Sequence, residues 1–140
     1  MAKRELVPGG LMYSRRHVRR RGGFVGIAIS LTFFAIGWIL RALLDGTIAN
    51  VAWFTFTMIA FPVMPILGIP ASGGGGRVLV AVLISAVVWW FLGQLAAVRA
   101  LSRPIVGWKE WMREFMFYST GIVVGTIGGI ALAAYLLGLL

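Results

Sequence analysis

From Gly22 onward the formal charges lie so far apart that four windows, 22–40, 46–76, 78–98 and 115–140, contain no Asp, Glu, Lys or Arg. Each is long enough to meet the roughly 18–20 apolar residues that a helix needs to cross the hydrocarbon core of a bilayer. The chain has 140 residues, of which 60% are hydrophobic and 12% charged. That is more apolar surface than one soluble domain of this size buries, since such domains are about half apolar and about a quarter charged. Lipid is the natural solvent for the excess, and a mean hydropathy of +0.94 agrees.

The expected fold class is therefore all-α: a polytopic integral membrane protein with four transmembrane helices. A basic N-terminal tail over 1–23 precedes a single membrane domain over 24–140, with spans expected over 24–44, 47–69, 77–99 and 115–140. The charged-then-apolar start resembles a secretory signal, but the apolar run outlasts signal-peptide length and no small-residue cleavage site closes it. It reads as a retained first span. Asp45-Gly46 supplies the next turn. The second segment ends in "FPVMPILGIP", where Pro62, Pro65 and Pro70 each remove a backbone donor, so this end is expected to be kinked, unwound or at the interface. "ASGGGG" over 71–76 is a connector.

Before the last span, Trp108, Trp111, Met112 and Phe115 share one helical face, and Lys109, Glu110, Arg113 and Glu114 share the other. That pattern predicts a short interfacial amphipathic helix over 104–114, with indoles at headgroup level. The alternative is that these residues are the first turns of the last span. Trp108, Trp111 and Phe115, together with Trp38 and Trp53 around the first hairpin, are the candidate interfacial anchors. In the last span Gly121, Gly125, Gly129 and Ala133 recur every fourth residue and form one groove of small side chains, a helix-packing face. Trp89 and Trp90 are adjacent near mid-depth, so at least one meets lipid or another chain.

Topology divides two rules. Seven basic residues, Lys3, Arg4, Arg15, Arg16, Arg19, Arg20 and Arg21, hold the N-terminus on the cytoplasmic side. With four full crossings the basic loop over 99–113 would then face outward, against the same rule. If the proline-rich second segment were instead re-entrant, dipping in and returning, that loop would be cytoplasmic. Such backbone needs protein cover, which a lone small chain is not expected to provide. Four crossings are the favoured reading.

The spans carry no ionisable residue in their interiors. Arg41, Asp45, Arg77 and Arg99 all lie at ends, which argues against proton-coupled transport; small multidrug exporters depend on a membrane-embedded Glu in the first span, and here there is none. Gln94 is the strongest polar side chain inside a span. The single His17 and the absence of Cys exclude thiolate or multi-histidine metal and haem ligation, so no metal or cofactor is expected. The carboxylates Glu5, Asp45, Glu110 and Glu114 stand near no Ser/His pair, and the glycine run lacks the Lys-Ser/Thr of a phosphate-binding loop; no enzymatic activity is expected.

Arg15, Arg16, Arg19, Arg20 and Arg21 are candidate contacts for anionic lipid headgroups or an acidic partner surface. Without aromatics for base stacking, nucleic acid is not expected as a partner. The function expected is that of a non-catalytic accessory subunit of a larger membrane protein complex, respiratory or transport-related, with homo-oligomers also open. The alternatives are a small oligomeric carrier or flippase for a neutral or lipid-linked substrate, and a holin-like pore former. The expected location is a bacterial or archaeal inner membrane, N-terminus inside.

Overall fold

The computed structural model describes residues 10–67 and 74–138. Lys3, Arg4 and Glu5 of the tail, the connector over 68–73 with Pro70, and the last two residues lie outside the described residues. What is described is 88% helical and contains no strand. The order is α1 (Gly10–Leu43), α2 (Gly46–Ala60), a single 3-10 turn (Pro65–Leu67), α3 (Gly75–Leu101) and α4 (Trp108–Leu136). Three of these, α1, α3 and α4, are long and apolar enough to cross a membrane. The chain is thus an all-helical protein with at least three helices fit to span, consistent with an integral membrane protein.

Two boundaries differ from the sequence expectation. The basic segment is not a tail apart from the first span: α1 begins at Gly10 and its 34 residues, about 51 Å at 1.5 Å per residue, carry Arg15–Arg21 on the same rod as the apolar run. No separate helix lies over 104–114 either. Residues 104–107 are non-helical, Gly107 caps α4, and the helix continues unbroken from Trp108. The physical reason is that no proline stands between Trp108 and Leu136, so the charged turns extend the last apolar helix.

The second apolar segment is shorter than its uncharged window. Its helix, α2, has 15 residues, about 22 Å, and stops at Ala60. Pro62 has no N–H to offer the carbonyl four residues earlier, and the Val63 N–H leaves the helix ladder to donate to Ser85 Oγ at 3.3 Å. The start is set by Gly46, whose φ of +76° turns the chain between α1 and α2.

Packing is centred on the pair α1 and α3, which run antiparallel: Arg15 meets Leu101, Gly22 meets Gly93 and Ala97, and Gly26 meets Trp89. Two glycines inside a helix cost about 1 kcal/mol each relative to Ala. Here they remain because a Cβ at Gly22 would lie 2.9 Å from both the Gly93 carbonyl oxygen and the Ala97 Cβ. A Cβ at Gly93 would in turn collide with the backbone of Gly22 and Gly23. Close backbone approach replaces side-chain interdigitation, and dispersion is what it gains, since lipid removes the hydrophobic drive between helices.

α4 docks on this crossing. Trp111 is fully buried, and its Nε1 donates to the Gly93 carbonyl at 2.9 Å. Phe115 stacks on Trp111 with ring centroids 4.7 Å apart and meets Trp89 at 5.9 Å. The aromatic line continues through Phe33 to Phe56 on α2. Val18, Ala96, Ala97 and Ala100 fill the space around it.

Candidate functional site

Three regions of this bundle carry features beyond packing: a buried helix end, a groove of small residues, and a basic end.

The buried helix end is that of α2. The Ala60 carbonyl has no helical donor, because the Met64 N–H turns back to Phe61 O. It instead accepts from Ser30 Oγ of α1 at 2.8 Å and from Trp89 Nε1 of α3 at 2.9 Å. Ser30 stands near the middle of the uncharged window of α1, and Trp89 near the middle of that of α3. Thr57, Met58, Ile59, Ala60, Phe61 and Met64 are all buried, so the last turn of α2 is covered by this chain itself, while Pro65 and Ile66 beyond it are exposed. The sequence reading did not anticipate that a chain this small provides such cover. The cover comes from the glycine crossing, which lets α1 and α3 close around the α2 end. About one and two turns earlier on α2, Thr57 Oγ1 and Trp53 Nε1 are buried without a hydrogen-bond partner, each costing on the order of 1–3 kcal/mol.

The groove lies between α2 and α4. Gly121, Gly125 and Gly129 would each meet no heavy atom within 4 Å of an added Cβ, and Ala133 is exposed like them. With Phe54, Met58, Pro62, Pro65 and Ile66 opposite, they line an apolar cleft of about 600 Å³. Among the described residues, nothing of this chain packs closely on the glycines of the α4 row. The glycines that are closely packed, Gly22, Gly23, Gly26 and Gly93 between α1 and α3 and Gly37 against Phe56 of α2, were not singled out from the sequence. The signal was present as Gly22, Gly26 and Ser30 on α1 and as Ala81, Ser85, Gly93 and Ala97 on α3, spaced in multiples of four.

The basic end joins the start of α1 to the turn between α3 and α4. Arg15 donates to the carbonyls of Leu101 at 3.0 Å and Arg103 at 3.4 Å. Arg16, Arg19, Arg20 and Arg21 are exposed on the same helix, and Arg15, Arg16 and Arg19 line a cavity of about 370 Å³ with Leu101. Arg103 pairs with Glu114 at 2.5 Å. Arg99 donates to Tyr118 Oη at 2.9 Å and lies over its ring. His17 rests against Tyr13 with centroids 4.6 Å apart. Among the described residues no three of His, Asp and Glu come together at one point.

The five aromatic residues read as anchors fall in three settings. Trp38 and Trp108 are exposed at 58% and 41%, whereas Trp111 and Phe115 are core residues. Trp53 is half-buried under the Arg41 guanidinium, 4.8 Å from its ring centroid. Of the adjacent indoles, Trp89 is wholly buried and Trp90 is partly exposed, packed against Gly23. Gln94 is half-buried on α3. Comparison with protein-family models, with curated proteins and with solved structures finds no match to this chain.

Proposed function

We propose that the protein is a non-catalytic membrane subunit that crosses the bilayer three times, with α2 re-entrant, and that joins a larger membrane complex through the small-residue face of α4. Support for the topology comes from Arg15 bonding to the turn after α3, which sets the basic start of α1 beside Arg99, Arg103, Lys109 and Arg113. All of these cations then lie on one side, as the charge rule for cytoplasmic segments asks. Further support comes from the 22 Å length of α2 and from its buried last turn, whose free carbonyl finds partners in Ser30 and Trp89, since polar backbone at membrane depth needs partners within the protein.

The single observation that carries the adhesive role is the vacant row Gly121, Gly125, Gly129 and Ala133 facing an open apolar cleft. After Ser119 no residue of α4 is buried, so four turns of helix present small residues to a neighbour of the same apolar character. Affinity capture of the tagged chain in mild detergent tests this. A stoichiometric membrane partner is expected with the unaltered chain and is lost with Gly125→Leu, while Leu132→Ala on another face retains it. A lone small particle for the unaltered chain refutes the reading.

A second reading is favoured by the same cleft: its 600 Å³ is a volume in the range of ligand pockets, open to lipid, and suits a carrier of a neutral or lipid-linked substrate. Substrate-dependent flux from the purified chain alone in liposomes distinguishes it from the subunit.

A further inference from the structure

We propose that the basic end of the bundle holds a binding site for a phospholipid headgroup carrying two negative charges, with Arg99 and Arg113 as its principal ligands. The site is a cavity of about 420 Å³ lined by Arg99, Ser102, Arg103, Arg113, Glu114 and Phe117. It is built by the last turn of α3, the turn that follows, and the second turn of α4. Three guanidiniums against one carboxylate leave two net positive charges. Arg103 and Glu114 satisfy each other, so the excess resides on Arg99 and Arg113.

Their settings differ in a way that suits a phosphate. Arg99 is held by Tyr118, which takes one of the five guanidinium N–H donors and leaves a planar fork for a bidentate phosphate contact. Arg113 is exposed and has no ion pair among the described residues. Ser102 Oγ donates its proton to Arg99 O at 2.7 Å, so the guanidiniums are the donors left in the cavity for an anion.

The neighbouring surface identifies the source of the phosphate as lipid. Phe117 is 71% exposed and follows Arg113 by one turn toward the uncharged part of α4. A phosphate bridging Arg99 and Arg113 therefore has apolar protein surface beside it, along which acyl chains lie. A free anion gains nothing from that surface. The exposed arginines of α1 at the same end raise the local concentration of anionic lipid, at about 1 kcal/mol per residue near the surface. Two net charges favour a phosphomonoester, which carries about −1.5 to −2 at neutral pH, over a singly charged phosphodiester. The inference rests on the membrane placement proposed above, and not on the cleft of α4.

The test is native mass spectrometry of the full chain in mild detergent, titrated with phosphatidic acid, phosphatidylglycerol or phosphatidylcholine, and separately with inorganic phosphate. One retained phosphatidic acid per chain is expected, preferred about fivefold or more over phosphatidylglycerol. Arg113→Gln should lower its retention about fivefold, whereas Lys109→Gln, an exposed cation outside the cavity, should leave it unchanged. Arg99→Lys should keep part of the retention that Arg99→Gln loses. Equal losses in R113Q and K109Q, displacement of the lipid by millimolar inorganic phosphate, or equal retention of phosphatidylcholine would each overturn the proposal. Gly125→Leu should leave lipid retention intact, so loss of a protein partner and loss of lipid report on separate claims.

Discussion

Replacing Gly93 by alanine adds one methyl group where α1 and α3 cross. The new carbon would fall against the Gly22 carbonyl, 2.9 Å from both its carbon and the Gly23 Cα. These are backbone atoms on both sides, with no rotamer to turn away, so the helices must separate. Overpacking of this kind costs about 1–3 kcal/mol. Separation also strains the 2.9 Å bond from Trp111 Nε1 to the Gly93 carbonyl, a class of contact worth about 0.6 kcal/mol between membrane helices. Helix propensity acts in the opposite sense by up to about 1 kcal/mol, leaving a net loss of about 1–3 kcal/mol. Gly125→Ala is the matched control: no heavy atom lies within 4 Å of its new Cβ, so propensity alone acts and stability should hold or rise by up to about 1 kcal/mol. Unfolding by sodium dodecyl sulfate in mixed micelles, followed by far-UV circular dichroism and Trp fluorescence, measures both. Equal stability of Gly93→Ala and the unaltered chain, or equal loss in the two variants, would refute the crossing as the site of closest approach.

Removing one donor to the Ala60 carbonyl, by Ser30→Ala or Trp89→Phe, should be mild, about 0.5–1.5 kcal/mol, because the other donor remains. The double variant leaves that carbonyl bare, and its loss should exceed the sum of the two by about 1 kcal/mol in the same unfolding assay; strict additivity would contradict the shared acceptor. Topology is accessible because the chain has no native Cys. Single cysteines at Ser14 and Ser102 should react with an impermeant maleimide from the same side of sealed vesicles, and one at Ser72 from the opposite side. Four full crossings would instead group Ser14 with Ser72.

The membrane character of the chain was readable because it depends on a sum over residues: uncharged windows need no knowledge of which face meets which neighbour. Helix existence followed for the same reason. The end of α2 was half readable, since Pro62 and Pro65 announce a break but not that Ser30 and Trp89, 30 and 29 residues away, supply the missing donors. Trp111 and Phe115 looked like interface anchors because amphipathic spacing alone does not distinguish a face toward headgroups from a face toward another helix. The same ambiguity governed the glycines. A row of small residues licenses close approach without naming the partner, so Gly121 to Ala133 drew attention by regularity, while Gly22 and Gly93 do the internal packing across a pair no single-helix pattern reveals.

The shared acceptor at Ala60 also orders events in time. Ser30 precedes it on the growing polypeptide and Trp89 follows it by 29 positions, which ribosomes add in roughly 1.5–6 s at common elongation rates. Until that indole emerges, the carbonyl has only the earlier hydroxyl to satisfy it, and the nascent second helix lacks the wall that will enclose it. Seating of this segment is therefore a late step of biogenesis, completed by sequence that the translocation machinery has not yet received when the segment itself leaves the tunnel.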